Sequence, residues 1–297
     1  MRITSQTMTT RVMDDLRAAQ AKVARHQQEV ASGRRIVQAS DDALGTHDAL
    51  LLRGSLDGLA KHRESIAGAT AWVSATDSAL SQITDVVHRA RELTLQGANG
   101  ATTNAGRAAI AAEIGQLIDV VKDAANTKVG DDYIFGGTAT STRPYTPGGV
   151  DAYAGDTAVV ARGIGPGVAV QVNTTGAQVL GSGGGDGGLL DTLRTIHAHL
   201  TGNTTGALQG SDLQALAANL DTITAQQATV GATQNRLDAA DARLTDAQLV
   251  ATELLGRTQD ADPVEALMQL NAQSAAYQAA LKTAANVLQP SLLDFLR

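Results

Sequence analysis

Cysteine is absent from the 297 residues of the sequence, so disulfides, thiolate chemistry and cysteine-based metal sites are excluded. Aromatic side chains are also scarce, with a single Trp and two Phe. A thick globular core would therefore lack most of its usual large fillers. Ala, Leu, Val, Ile and Met carry the apolar fraction instead, and this composition favours thin helical structure.

Basic clusters and long apolar runs are missing as well. The formal net charge is −7 and no run of lysines and arginines occurs, which excludes nucleic acid as a partner. No stretch reaches the ~18 consecutive apolar residues of a membrane-spanning helix, so no membrane insertion is expected. The start, MRITSQTMTTRVMDD, lacks the apolar core and cleavage site of a general secretory signal. Taken alone, these observations favour a cytoplasmic protein.

No residue pattern points to catalysis or to a metal. The close pair His197 and His199 would point to different faces of a helix and could not hold one ion. The strings HExxH, GxSxG and GxxxxGK[ST] do not occur. We interpret two adjacent acid pairs as helix N-terminal residues that meet free N–H groups and the macrodipole: Asp41-Asp42 and Asp131-Asp132. The sequence therefore predicts no enzyme, no cofactor and no metal site.

Apolar residues that recur every seven positions predict long helices. The prolines lie at positions 144, 147, 166, 263 and 290, so residues 1–143 and 167–262 are free of the strongest helix breaker. A second apolar run over 110–124 follows the break GANGATTNAG and is predicted to fold back antiparallel. In the first stretch, one heptad stripe predicts a helix over about 44–98: Leu52, Leu59, Ile66, Val73, Leu80, Val87 and Thr94.

The C-terminal half repeats this pattern. Ser211 with Gln214 three residues later is a capping-box sequence at the start of a heptad-patterned helix. A further helix is predicted to begin at Pro263, with Asp262 as its N-cap. Its apolar positions then alternate by three and four residues until Pro290.

The region between the helical halves differs in composition. Residues 130–188 hold 16 of the 30 glycines and four of the seven aromatics. VAVQVN at 168–173 alternates as a half-buried strand does, AVVAR and YIF are further strand candidates, and GSGGGDGG at 181–188 is interpreted as a flexible return linker. The predicted fold is mainly α, a long antiparallel coiled-coil rod built from both chain ends with a small β-rich insert. The predicted segments are an N-terminal assembly helix over 1–42, rod halves over 43–130 and 189–258, the insert over 131–188, and a C-terminal assembly helix over 259–297.

The two chain ends predict an assembly surface. Each end carries one apolar stripe on an Ala-, Gln- and Thr-rich surface, and a lone helix of that kind is marginal in water until another surface covers the stripe. The final stretch, QPSLLDFLR, adds apolar side chains where termini are normally polar. The predicted assembly residues are Ile3, Met13, Leu16, Val23, Val30, Leu270, Tyr277, Leu281, Leu288, Leu292, Leu293, Phe295 and Leu296.

Six stretches in the same order resemble the flagellin superfamily. They are MRIT, SGRRIVQASDDALG, ATDSALSQITDVVHRARELTLQGANG, YIFGGT followed by TRPY, VGATQNRLDAA, and LKTAANVLQPSLLDFLR. They are most similar to its branch of hook-filament junction proteins, because of the opening MRIT, Trp72 and the ending SLLDFLR. The doublet in SDDALG leans towards filament flagellin.

The resemblance implies a flagellar structural component. Copies of the chain would form a helical or ring-like layer, with the first hook-filament junction protein below and flagellin above. The chain would leave the cell unfolded by the flagellar type III route, without a cleaved signal and with an export chaperone. This implication places the protein outside the cell and reverses the cytoplasmic expectation. Absence of cysteine suits an oxidising exterior.

The resemblance also gives a role to the stretch between the first two helices. Gly33 is expected to end the terminal helix, and Arg34 and Arg35 to face its negative end. Three further residues are expected to start the next helix: Ser40, Asp41 and Asp42. With Ile36 between them, these residues would form a joint between two layers of the assembly and contact a neighbouring subunit.

Three alternatives remain open from the sequence. A filament subunit would use the same helical ends. A chemoreceptor-type signalling coiled coil would share the long antiparallel heptads but would not explain the apolar tail or the insert. A catalytic site hidden in the insert is the third.

Overall fold

A computed structural model describes residues 5–288 of the chain. The predicted assembly residues Ile3, Leu292, Leu293, Phe295 and Leu296 lie outside the described residues, as does the side chain of Leu288. The predicted mainly α class is confirmed. The elements are α1 (Ser5–Ser32), α2 (Ala43–Ala98), α3 (Asn104–Ala125), β1 (Lys128–Val129), β2 (Asp132–Tyr133), β3 (Ala161–Gly165), β4 (Val168–Gln171), α4 (Gly176–Leu180), α5 (Leu189–Thr201), α6 (Thr205–Gln209), α7 (Ser211–Gln259) and α8 (Pro263–Leu288).

The chain divides into two compact units. One, here called the terminal unit, comprises Met1–Gly58 and Ala247–Arg297. The other, here called the central unit, comprises Leu59–Asp246. No helix within residues 5–288 combines the length and the apolarity needed to cross a membrane.

The heptad stripe of α2 forms the core of the central unit. Ile66, Val73, Leu80 and Val87 are all buried, as predicted. Thr94 continues the stripe, and its hydroxyl donates a hydrogen bond to the Ala90 carbonyl at 2.7 Å, so the buried polar group is satisfied. The 56 residues of α2 give a helix about 80 Å long at 1.5 Å per residue. The same hydrophobic cluster contains side chains of α3, α5 and α7.

The insert has no separate core. Its two sheets are antiparallel pairs of strands, β1 with β2 and β3 with β4. Phe135, Tyr145, Val170 and Leu180 are buried within the helical cluster. The VAVQVN strand is confirmed over Val168–Gln171, whereas only the ends of AVVAR and YIF are extended. The helices therefore support the insert, because it supplies too few strands for independent stability.

Two carboxylates order the glycine-rich stretch that the sequence suggested was a flexible linker. Asp186 accepts hydrogen bonds from the backbone N–H groups of Ser182 and Gly183 and, at 2.8 Å, from that of Gly188. Asp191 accepts one from the N–H of Gly185 at 2.7 Å. The two acids thus satisfy backbone N–H groups of a stretch that the sequence analysis described only as a linker.

A buried ion network fixes the loop after β2. The Lys122 side chain on α3 is fully buried, and its Nζ lies 2.7 Å from the Asp151 carboxylate. The same Nζ donates to the Gly149 carbonyl at 2.8 Å, and Arg194 of α5 contacts Asp151 at 2.8 Å. Burial raises the pKa of Asp151, but Arg194 and Lys122 outweigh it and leave that pKa below its ordinary value.

Two capping predictions are wrong in detail. Ser211 is the first residue of α7, and its hydroxyl donates to the Ala207 carbonyl at 3.4 Å, so it is not an N-cap. The pair Asp131-Asp132 does not start a helix: Asp131 lies in the turn of the β1–β2 hairpin and Asp132 begins β2. Asp262, by contrast, accepts the N–H of Val264 at 2.8 Å and caps α8 as predicted.

Candidate assembly surface

Helices α1 and α8 pack against each other in the terminal unit. They run antiparallel, because the end of α1 and the start of α8 are joined by a hydrogen bond from the Ala261 N–H to the Gly33 carbonyl at 3.0 Å. The predicted stripe residues are half-buried in this pair: Leu16, Val23 and Val30 on α1, and Leu270 and Tyr277 on α8. One neighbouring helix therefore covers each stripe only in part.

Some predicted stripe residues lie beside the covered strip. Met13 is exposed, whereas its neighbour Val12 is half-buried in the same heptad register as Leu16 and Val23. Leu281 is also exposed, at 43%. Of the predicted α1 residues, only Met13 is misplaced, by one position, because Val12 and Met13 are both apolar.

The terminal unit carries most of the exposed large apolar side chains of the described chain. They come from all four helices of the unit and from the segment between α1 and α2. Monomeric proteins rarely expose so many large apolar side chains in one unit. The exposed set is Met8, Met13, Val37, Leu44, Leu50, Leu51, Leu249, Val250, Leu254, Val264, Leu267, Met268 and Leu281.

The predicted joint, here called the 33–42 segment, begins at Gly33. This residue has a φ of +67°, and its N–H donates to the Glu29 carbonyl at 2.9 Å, so it ends α1 as predicted. Ile36 is buried to 6% exposure and is the apolar anchor of the segment. A Cβ on Gly45 would lie 2.6 Å from both Ile36 Cδ1 and an Asp42 carboxylate oxygen, so these side chains would have to shift to admit a larger residue there.

The 33–42 segment pairs with the connection between α7 and α8. The N–H of Arg35 donates to the Gln259 carbonyl at 2.8 Å, and Arg34 forms an isolated antiparallel β-bridge with Asp260. A side-chain bond adds to this pairing, from Arg53 of α2 to the Gln259 amide oxygen at 2.6 Å. The connection between α1 and α2 is thus hydrogen-bonded to the connection between α7 and α8.

The arginines of the segment have unequal roles. Arg35 donates to the Asp42 carboxylate at 3.2 Å and to the Thr258 carbonyl at 3.0 Å. It therefore meets the C-terminal end of α7 rather than that of α1, which corrects the sequence-based expectation. Arg34 is exposed, and its backbone N–H donates to the Ser32 hydroxyl at 3.3 Å.

The two acids of the segment, Asp41 and Asp42, accept hydrogen bonds from different backbone N–H groups. Asp42 is the N-cap of α2, accepting the Gly45 N–H at 2.8 Å, and this bond together with Arg35 holds the pKa of Asp42 below its usual range. The Asp41 carboxylate instead closes a turn before the helix. The backbone N–H groups of Gln38 and Val37, with Arg25, lower the pKa of Asp41. Ser40 is an exposed turn residue. Of the three predicted starting residues, only Asp42 caps α2.

No pattern in the sequence indicates the long-range partners of this segment. The Arg25 guanidinium lies 3.3 Å from the Asp41 carboxylate. Gln259 accepts three hydrogen bonds, from the backbone N–H groups of Arg35 and Ile36 and from the Arg53 side chain. Between residues 5 and 288, no group of three or more His, Asp or Glu side chains is arranged to hold a metal ion. What the described arrangement provides is a fixed joint between helices and an uncovered apolar surface.

Two family models cover most of the chain, and their positions correspond to the helices just described. The bacterial flagellin N-terminal helical region matches residues 3–140, and the bacterial flagellin C-terminal helical region matches residues 213–296. The chain belongs to the flagellin family. The unmatched residues between the two models include β3, β4, α4 and α5 of this flagellin-family chain.

Relatives within the family are similar over part of their length. The chain is 28% identical over 147 residues to flagellar hook-associated protein 3 of Escherichia coli K12, covering 49% of this chain and 46% of the relative. It is 25% identical over 183 residues to the protein of the same name in Salmonella typhimurium LT2, covering 61% and 57%. The matched segment thus spans about half the length of these curated relatives.

Solved structures support the fold. A putative flagellar hook-associated protein from Vibrio parahaemolyticus superposes with a TM-score of 0.68 at 21% identity. The match covers 74% of this flagellin-family chain and all of the Vibrio chain. At this identity the likeness establishes the shared fold alone.

Proposed function

We propose that this flagellin-family chain is a structural, non-catalytic junction component of the bacterial flagellum. Copies would form a helical or ring-like layer that binds the first hook-filament junction protein below and flagellin above. The proposal includes export by the flagellar type III route, without a cleaved signal and with an export chaperone, to a location outside the cell. The names of the relatives from Escherichia coli and Salmonella support it.

The observation that carries the proposal is the uncovered apolar surface of the terminal unit. Antiparallel α1 and α8 cover each other's stripes only in part, and exposed leucines and valines extend onto α2 and α7. Residues that stay exposed in one chain would be covered in a layer of many copies. We propose that residues 1–42 and 259–297 form the inner layer, that 43–130 and 189–258 form the next, and that the 131–188 insert is outermost.

Electron microscopy of the purified chain tests this function. The chain is examined alone and after mixing with isolated hooks that already carry the first junction protein. A short added layer at the hook tip, without polymer from the chain alone, is the expected result. Hooks that stay unchanged would exclude the junction role.

A filament subunit is the second candidate, favoured by family models that are described as flagellin regions. Long filaments from the purified chain alone would identify it. A chemoreceptor-type coiled coil has no support from the family assignment.

A further inference from the structure

A groove in the central unit has no occupant within the described chain. It runs between α7 and the β3–β4 hairpin and has a volume of about 470 Å³. We call it the α7 groove. Its floor is apolar, because Ile164, Ala240 and Leu244 are buried there, and Val168 at its edge is 47% exposed. The lining residues are Ile164, Gly165, Pro166, Val168, Arg236, Ala239, Ala240, Arg243 and Leu244.

Two arginines give the α7 groove its charge. Arg236 and Arg243 are exposed and lie one heptad apart, which is about 10 Å along the helix. No carboxylate lines the groove. Two acids lie between them on α7, and both have other partners. Asp241 pairs with Arg63 at 3.0 Å, and Asp238 accepts a hydrogen bond from the Gln234 side-chain amide at 3.1 Å. Within the part of the chain that the structure describes, neither groove arginine has a hydrogen bond or an ion pair. An acidic ligand would therefore meet two free guanidinium groups beside an apolar floor.

The same unit carries an acidic tip of complementary chemistry. Strands β1 and β2 are joined by a tight two-residue turn with Gly130 at a φ of +62°. Asp131 and Asp132 are exposed at this tip, and neither carboxylate has a partner among residues 5–288. The nearby cation, Lys128, lies over the Tyr133 ring at 4.4 Å from its centroid rather than on either acid.

We infer that the acidic β1–β2 tip of one copy docks into the α7 groove of the next copy. The contact rests on the proposed function, since it joins copies within one layer. Tip and groove are different surfaces, so the contact is heterologous and continues from copy to copy instead of closing a dimer. A second copy is the occupant because the one chain supplies both halves, two unpaired acids on a narrow turn and two unpaired arginines in a groove.

Cross-linking between copies tests the contact directly. The sequence has no cysteine, so a double variant with Lys128→Cys beside the tip and Ala239→Cys in the groove carries only the two introduced thiols. Both acids and both arginines stay in place. Layers assembled at hook tips are treated with a short bis-maleimide. We expect the double variant to give a ladder of linked copies at least ~10-fold above either single variant. The pair Lys128→Cys and Asp85→Cys, which places a thiol on exposed α2 surface, is the matched control.

The cross-linking experiment distinguishes failure of the proposed function from failure of the proposed contact. If the unmodified chain adds no layer at the hook tip, the proposed function is wrong and the contact falls with it. If the layer forms and the double variant gives no more ladder than the single variants, the contact is wrong while the proposed function stands.

Charge exchange gives a second test that does not depend on thiols. Arg236→Asp with Arg243→Asp places acids opposite the acidic tip, and we expect incorporation at the hook tip to fall at least ~10-fold. Adding Asp131→Arg and Asp132→Arg to the same chain makes tip and groove complementary again and should restore incorporation. Arg91→Asp, on exposed α2 surface outside the groove, should leave incorporation unchanged. Loss without restoration would assign the groove to another protein and overturn the inference.

Discussion

The guanidinium of Arg35 lies 3.2 Å from the carboxylate of Asp42. Because Arg35 also donates to the Thr258 carbonyl, one side chain joins the start of α2 to the end of α7. The N-cap of one long helix and the C-terminal end of another are thus held by a single group in the terminal unit.

Replacing Arg35 with Ala should loosen this connection. We expect a lower midpoint of thermal unfolding, because the last turn of α7 loses a cation that suits its carbonyls and Asp42 loses its partner. Circular dichroism measures the midpoint. Arg34→Ala is the matched control, since Arg34 is exposed and only its backbone N–H makes a hydrogen bond in the segment. Equal midpoints for the two variants would contradict the role of Arg35.

Acid should weaken the 33–42 segment through its carboxylates. The folded pKa of Asp42 lies below the ordinary value of 3.8, mainly because of the Gly45 N–H and Arg35, and that of Asp41 is lowered mainly by the Gln38 N–H. A lowered folded pKa contributes stability that is fully present above pH ~4 and is lost as pH falls through the folded pKa. Denaturant unfolding between pH 6 and pH 2 should therefore show a smaller acid loss for Asp42→Asn. An identical pH profile would contradict the prediction.

The α2 core should be sensitive to truncation. Leu80→Ala removes a fully buried side chain and should lower the free energy of unfolding by about 3–4 kcal/mol. Leu95→Ala on the same helix is the control, because Leu95 is 51% exposed and its loss should change stability by less than about 0.5 kcal/mol. Urea unfolding compares the two, and a similar cost at both positions would contradict the assignment of the core.

Breaking the buried ion network should also lower the free energy of unfolding. Lys122→Met leaves Asp151 buried with only Arg194 as a charged partner and should cost about 3 kcal/mol. Hydrogen exchange should localise the loosening to residues 144–153. Adding Asp151→Leu should recover part of the loss, because the buried carboxylate is then removed and Arg194, which is 46% exposed, stays in contact with water. A further loss in the double variant would contradict this account.

Exposed apolar residues of the terminal unit should matter for assembly and little for folding. Leu249→Ser with Val250→Ser should leave the thermal midpoint nearly unchanged and reduce incorporation at hook tips at least ~10-fold, because both side chains are more than half exposed. Leu95→Ser in the central unit is the control for an exposed leucine. Normal incorporation of the double variant would argue against the proposed surface.

Replacing the predicted tail residues tests the chain end in the same assay. Leu288→Ser, Leu292→Ser and Phe295→Ser together should abolish incorporation, because the tail would lose its apolar character, and should leave the helical circular dichroism of the purified chain largely intact. Cells that still grow filaments and swim with this variant would contradict the prediction.

Local patterns were sufficient to predict the long helices. The α2 stripe from Leu59 to Thr94 follows from a seven-residue period, and the α8 start follows from Asp262 before Pro263. In α1 the prediction named Met13 where the neighbouring Val12 is half-buried, because both residues are apolar and periodicity alone does not choose between neighbours.

Partners that are distant in sequence could not be predicted in this way. Lys122 meets Asp151 and Arg194, and Arg53 meets Gln259, across separations that no helical or strand period encodes. The glycine-rich stretch is a second case, because Asp186 and Asp191 accept backbone N–H groups there and glycine composition does not indicate these contacts.

The single cluster shared by α2, α3, α5 and α7 has a kinetic consequence. Leu80 and Leu237 belong to the same core although 157 positions separate them in the chain. Loop closure over such a distance precedes any gain from burial, which makes folding slow. A chain that emerges from a narrow opening N-terminus first would therefore have no complete core to fold onto until the α7 residues have followed.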